Sequence, residues 1–307
     1  MAKVKNYLSL IKFSHTIFAM PFALIGFFLA VFKVSNKGQW NLNKSIGWGY
    51  DITNFVFWRD YLIKFILVIV CMITARSAAM AFNRYLDRQF DAKNPRTAIR
   101  EIPAGIIGAN SALRFTVINC ILFVVATWFI NPLCFALSPV ALFVILFYSY
   151  TKRFTPLCHL VLGLGLSLAP IGAYLAVTGQ FALLPILFSF TVLFWVSGFD
   201  IIFALQDEDF DRSQNLYSIP VVLGTKNALK VSRLLHLLSA CCVIFAGFMG
   251  QFGLFYWMGV GGFISMLFYQ HSIVKPTDLS RVNIAFMTAN GIASVVFAVF
   301  VIADLFF

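Results

Sequence analysis

Charge is what this chain has least of. Lysine, arginine, aspartate and glutamate make up 11% of its 307 residues and hydrophobic residues 61%, whereas soluble domains carry about 25% charged residues. A water-soluble globule is thereby excluded, and the bilayer is the solvent. Acids are scarcer than bases, twelve against 23, which leaves a net charge of +11. The six cysteines, Cys71, Cys120, Cys134, Cys158, Cys241 and Cys242, include no CxxC or Cys/His metal spacing and read as packing residues. No small-residue cleavage site follows the basic N-terminus, so the apolar stretch after Lys12 reads as a first span and not as a secretory signal. The apolar runs, Phe115 to Ile130 for example, lack the alternation of a membrane β-barrel. Histidines are few as well: His15, His159, His236 and His271 fall near predicted helix ends, where interfacial placement is expected, and none is assigned a catalytic role.

What is present is a series of nine apolar stretches, roughly 14–32, 62–82, 108–130, 133–150, 157–177, 184–205, 228–249, 252–270 and 284–305. Each approaches the ~20 residues that carry a helix across a bilayer. The expected fold is an all-α bundle of nine transmembrane helices, one domain over residues 1–307. With the N-terminus inside, most of the bases fall on the cytoplasmic side, including Lys3, Lys5, Arg88, Lys93, Arg114, Arg212, Lys226, Lys230, Arg233, Lys275 and Arg281. Topology and anionic lipid headgroups account for part of this positive balance. An anionic substrate accounts for the rest; nucleic acid does not fit, because the bases sit beside the membrane and on no soluble module. The outer loop, 33–60, contains no motif that assigns it a role.

The few acids cluster. Asp87 and Asp91 follow the second span, and Asp200, Asp207, Glu208, Asp209 and Asp211 surround the end of the sixth. Asn83-Arg-Tyr-Leu-Asp87-Arg-Gln-Phe-Asp91 and Phe203-Ala-Leu-Gln-Asp207-Glu-Asp-Phe-Asp211 share a D-x-x-F-D core, a diverged repeat. An even number of crossings separates the two spans, which places both clusters on the cytoplasmic face of one cavity. The i, i+4 spacing predicts both carboxylates of each pair on one side of a helix, with Asn83 a turn earlier. Two facing carboxylate pairs suit Mg²⁺, a hard cation commonly held by one or two carboxylates together with substrate phosphates. The Lys93-Asn-Pro-Arg96-Thr97-Ala-Ile-Arg100 loop supplies bases for a diphosphate. Arg76 and Asp200, costly at membrane depth, are expected to face that cavity or each other.

These residues, taken together, resemble the UbiA family of intramembrane prenyltransferases over most of the chain. The family's first motif corresponds to Asn83, Asp87 and Asp91 with Arg76 upstream, and its Arg-Thr-x-x-Arg segment to Arg96, Thr97 and Arg100. The second motif corresponds to Asp207 and Asp211 with Asp200 before it, and Tyr148-Ser-Tyr-Thr-Lys152-Arg153-Phe-Thr155 followed by Gly163 matches the segment between. Arg84 and Ser213 depart from the pattern, replacing an Asp that is a possible metal ligand and a Lys that is a possible phosphate contact. The resemblance implies transfer of a polyprenyl group from polyprenyl diphosphate to a small aromatic acceptor, 4-hydroxybenzoate in ubiquinone synthesis or a dihydroxynaphthoate in menaquinone synthesis. It implies Mg²⁺ on Asp87, Asp91, Asp207 and Asp211, with Asn83 beside them in catalysis. Arg96, Arg100, Lys152 and Arg153 are implied for the diphosphate, and Arg76 and Asp200 for the acceptor or the metal cluster, at the cytoplasmic face of a bacterial inner membrane. An ion-coupled transporter is the rival class, but its acids belong near the bilayer midplane and these sit mostly at helix ends. A CDP-alcohol phosphotransferase would need a D-x-x-D-G-x-x-A-R signature that is absent.

Overall fold

A computed structural model describes residues 2–11, 18–35 and 55–307, and among these every regular element is helical. The helices are α1 (Ala2–Leu10), α2 (Met20–Ser35), α3 (Phe55–Lys93), α4 (Ala109–Ile130), α5 (Pro132–Thr151), α6 (Cys158–Thr178) and α7 (Leu183–Ala204). They continue with α8 (Glu208–Ser213), α9 (Ile219–Gly250), α10 (Leu254–Ile273) and α11 (Asn290–Phe306). A helix overlaps each of the nine predicted stretches, but the described residues contain seven that are long and apolar enough to cross a bilayer. In α2 only 16 residues are helical, and Tyr256, Trp257, Gln270 and His271 dilute the apolarity of α10. Residues 36–54 of the outer loop, and Lys12 and His15, lie outside the described residues.

Local sequence sets the boundaries. Asn131 caps α5 by accepting from the Cys134 N–H at 2.8 Å, with Pro132 at the first helical position. Ser218 caps α9 and Pro220 follows it. Gly179, at φ 64°, ends α6 in the left-handed conformation that glycine adopts without penalty. The N-terminus of α10 is capped from a distance: Asp304 of α11 accepts from Gly253 N–H at 2.8 Å and Tyr256 N–H at 3.0 Å.

The protein core lies mainly where α2, α7, α9, α10 and α11 meet, around Phe22, Trp195, Phe263 and Phe297. Trp195 Nε1 donates to Asn290 Oδ1 at 2.9 Å, and Asn290 Nδ2 donates to the carbonyls of Ala285 and Phe286. These two carbonyls lie in a π-helical turn, Ile284–Ala289, so Asn290 satisfies backbone groups where the helical ladder is displaced. The opposite half is thinner. Over half of the apolar window of α7 is buried, 56%, against 11% in α5. Side chains such as Trp128, Phe129, Phe143, Phe248 and Phe268 project outward, a surface that suits hydrocarbon and not water.

Candidate active site

The thin half encloses a cavity of about 970 Å³. Its wall follows one stripe of α3, from Val68 through Cys71, Met72, Arg76 and Asn83 to Asp87 and Asp91, a path of about 35 Å at 1.5 Å per residue. One end is ringed by charge. The remainder, between α3, α4, α5 and α6, is apolar and runs to Ile130, Cys134 and Phe181.

At the charged end each motif aspartate has its own basic partner. Arg153 donates to Asp87 Oδ1 at 2.8 Å, and Asn83 Nδ2 donates to Asp87 Oδ2 at 3.1 Å. Arg100 donates to Asp91 Oδ1 at 2.6 Å. Arg96 forms an ion pair with Asp207, and Asn94 Nδ2 donates to Asp207 Oδ1 at 3.1 Å. Lys152 reaches Asp211 Oδ1 at 3.4 Å. Burial pulls the Lys152 ammonium down, but the carboxylates of Asp211, Asp87 and Asp207 outweigh it and raise its pKa above the ordinary lysine value. The loop after the first motif thus grips the second, and the α5–α6 turn reaches both, so the two motifs sit at one end of one cavity as expected.

Two expectations need correction. The second pair does not lie on one regular helix: α7 ends at Ala204, a 3₁₀ turn spans Leu205–Asp207, and Asp207 itself sits at φ −110°, ψ 7°. Its carboxylate is held by Asn94 and Arg96 from another part of the chain, and that pull accompanies the break. The second concerns the histidines: of the three among the described residues, two are buried inside the protein. His159 is buried, with Nδ1 2.7 Å from Asp200 Oδ2. His236 is buried too and faces His271 at 2.9 Å.

Arg76 and Asp200 both line the cavity, as expected, yet they do not pair with each other. Arg76 forms no ion pair among the described residues, and its buried Nε has no hydrogen-bond partner. The sequence marked Arg84 only as a departure from the family pattern, and it gave no role to Asn94 or to an aromatic wall. Arg84 is buried with a guanidinium nitrogen 3.9 Å from Asp91 Oδ2. Phe286 meets Phe18 and Phe199 edge to face in the cavity wall, Phe18 and Phe199 are tilted against each other, Phe203 stacks on Phe286 at 4.2 Å, and Arg96 lies over the Phe203 ring at 5.3 Å. The spacing of Phe199 and Phe203, one turn apart on the helix bearing Asp200, was a signal for part of that wall.

No three His, Cys, Asp or Glu side chains among the described residues converge on a single point. The donor set is nonetheless hard oxygen throughout, the chemistry of Mg²⁺, which takes few protein ligands and completes its shell with water and phosphate. The residues fit such an ion in company with a phosphate better than alone.

An all-helical bundle with one deep cavity, charged at the mouth and apolar beyond, defines a membrane protein shaped for an amphiphile with an anionic head. The profile of the UbiA prenyltransferase family matches residues 55–292, and the chain belongs to that family: it is a prenyltransferase. It is 30% identical to a 4-hydroxybenzoate octaprenyltransferase of Tolumonas auensis over 223 residues, 73% of this chain and 78% of the relative. The protein of the same name from Nitrosomonas europaea is 29% identical over 241 residues, 78% and 82% of the two chains. Among solved structures, an apo UbiA homologue from Aeropyrum pernix superposes with a TM-score of 0.77 at 27% identity, covering 94% and 98% of the two chains. A homologue from Archaeoglobus fulgidus bound to DMAPP and Mg²⁺ shares the fold, with a TM-score of 0.72 at 18% identity over 98% and 99%.

Proposed function

We propose that this single-domain enzyme transfers a polyprenyl group from polyprenyl diphosphate to 4-hydroxybenzoate in ubiquinone biosynthesis, with its charged mouth on the cytoplasmic face of the inner membrane. The observation that carries the reading is the continuity of the cavity from the four paired aspartates to an apolar interior, which suits a diphosphate head and an isoprenoid tail. The curated relatives act on this acceptor by name, and the fold neighbour from Archaeoglobus fulgidus holds Mg²⁺ and a prenyl diphosphate.

Asp87, Asp91, Asp207 and Asp211 would hold Mg²⁺, with Asn83 orienting Asp87. The ion, when bound, supplies neutralisation of charge on the leaving diphosphate. Arg96, Arg100, Lys152 and Arg153, each paired with a motif aspartate, would turn to the remaining phosphate oxygens. The bond between prenyl C1 and oxygen breaks with its electron pair leaving on the diphosphate. A ring carbon of the acceptor gives its π pair to the new carbon–carbon bond, and the proton displaced from that carbon leaves, which restores aromaticity. Phe199, Phe203 and Phe286 line the cavity, where their ring faces can shelter the allylic cation. Arg76, without a carboxylate of its own, suits the carboxylate of the acceptor.

Purified protein with labelled polyprenyl diphosphate, given 4-hydroxybenzoate and a dihydroxynaphthoate in separate reactions, tests the reading. Product with the first acceptor that disappears on chelation and returns with Mg²⁺ is expected. Product with only the second moves the enzyme to menaquinone synthesis, and transport of a labelled ion without product would refute the assignment.

A further inference from the structure

His159 stands one residue inside α6, buried, and is bonded to the one acid that lies deep in the cavity wall. Its Nδ1 is 2.7 Å from Asp200 Oδ2, and its Nε2 faces the Ile219 backbone N–H at 3.4 Å. An amide N–H can only donate, so Nε2 accepts. The hydrogen-bond network therefore puts a proton on Nδ1, aimed at Asp200. The His159 carbonyl in turn accepts from Ser197 Oγ at 3.1 Å, which fixes the histidine to α7 by its main chain as well.

Asp200 is held by one oxygen and free at the other. Its side chain is 21% exposed, it lines the cavity, and Oδ1 accepts no hydrogen bond among the described residues. A carboxylate so arranged is an acceptor waiting for a donor on a bound molecule. The isoprenoid tail has no donor, and the diphosphate is an anion that a carboxylate repels. The mouth, where the motif aspartates would hold Mg²⁺, is also distant: Asp200 precedes Asp207 by seven residues, about 10 Å deeper along α7. A hydroxyl on the aromatic ring remains.

We infer that His159 is a positioning residue, which holds Asp200 so that Oδ1 accepts a hydrogen bond from the ring hydroxyl of the acceptor. The inference rests on the proposed reading of the acceptor as a hydroxylated aromatic, and takes Asp200, one of the two residues that the family resemblance offers for the acceptor or the metal cluster, as its contact.

Four variants of the full-length membrane enzyme test it: His159→Leu and His159→Met, which cannot donate; His159→Asn, whose amide nitrogen sits as many bonds from the backbone as Nδ1; and Asp200→Asn. The readouts are KM for 4-hydroxybenzoate, KM for the prenyl diphosphate, and inhibition by benzoate, which lacks the hydroxyl. Loss of a hydrogen bond to a charged group predicts that Leu and Met raise the acceptor KM about tenfold. Donor KM and benzoate inhibition stay within about twofold, and Asn recovers most of the loss. Leu and Met have different shapes, so failure of one to fold leaves the other informative, and Asn reports on the donor in either case. If Asp200→Asn raises the acceptor KM and the His159 variants do not, the histidine inference falls and the reading of Asp200 stands. If Asp200→Asn has no effect either, the reading beneath it falls. If donor KM and benzoate inhibition move together with the acceptor KM, His159 is only a structural residue and the inference is overturned.

Discussion

Asn94 Nδ2 donates to Asp207 Oδ1 at 3.1 Å, joining residues 113 apart in the chain. Asn94 follows α3 directly, and Asp207 closes the 3₁₀ turn after α7, so this bond fastens the first aspartate motif to the second. Arg96 pairs with the same carboxylate through Nε at 3.0 Å and through its terminal nitrogen.

Asp207 therefore has two duties, one in the resting contacts and one toward Mg²⁺. Asp207→Asn keeps the shape and one acceptor oxygen but removes the charge. We expect kcat to fall by at least about a hundredfold, the scale of losing one electrostatic group at a developing charge. Asn94→Ala, which leaves the carboxylate in place, is expected to cost about tenfold or less. Both proteins should insert and purify like the parent. Initial rates at saturating Mg²⁺ decide; equal activity in Asp207→Asn and the parent would remove the carboxylate from the mechanism.

Arg96 and Arg100 belong to the loop that follows α3, with side chains 35% and 22% exposed. Their partners are aspartates at rest and phosphate oxygens in the proposed loaded enzyme. Arg96→Gln and Arg100→Gln should each raise the donor KM about tenfold, the scale of a charge-assisted hydrogen bond. The acceptor KM should hold. A rise confined to the acceptor KM would place these arginines with the wrong substrate.

Much of this arrangement was legible in the sequence because polar residues are costly in a bilayer and therefore few. Asp87, Asp91, Asp207 and Asp211 stood out against an apolar background, and helical character followed from apolar runs without alternation. The break before Asp207 was not legible: no proline or glycine lies between Phe203 and Asp211, and the carboxylate is drawn by Asn94 and Arg96 from a distant loop. His159 was missed for a similar reason. Its role depends on which residue of another helix comes within 2.7 Å, and spacing along one helix carries no such information. The long reach of α3, 39 residues from Phe55 to Lys93, exceeds the predicted 62–82 span because the helix begins seven residues earlier and its charged last turns remain helical outside the apolar run.

Asp304 offers a test of stability alone, far along the chain from the motifs. Its two oxygens accept from Gly253 N–H and Tyr256 N–H, which would otherwise be unpaired at the start of α10. Asp304→Ala removes both and leaves the buried Tyr256 N–H unsatisfied, a loss of about 1–3 kcal/mol. Thermal unfolding in detergent should fall by several degrees while KM for both substrates stays put. An unchanged midpoint would mean that water or lipid headgroups replace the cap.

Gly163 controls how closely α6 and α7 approach. A Cβ there would lie 2.3 Å from Ser197 Oγ and 2.4 Å from the Leu193 carbonyl oxygen. The serine hydroxyl can rotate away, but the Leu193 oxygen belongs to the backbone of α7 and cannot. Gly163→Ala must therefore push the helices apart, at a cost of about 1–3 kcal/mol. His159 lies one turn before Gly163, and Asp200 one turn after Ser197, so their 2.7 Å contact lengthens as the helices separate. The ion pairs at the mouth involve neither Gly163 nor its contacts. Gly163→Ala should thus raise the acceptor KM more than the donor KM and lower the unfolding temperature. Gly163→Ser, larger by one oxygen, should do both more strongly. Kinetics of the two variants at saturating donor provide the check, and an acceptor KM unchanged in both would mean that the helices accommodate the new atoms without moving Asp200.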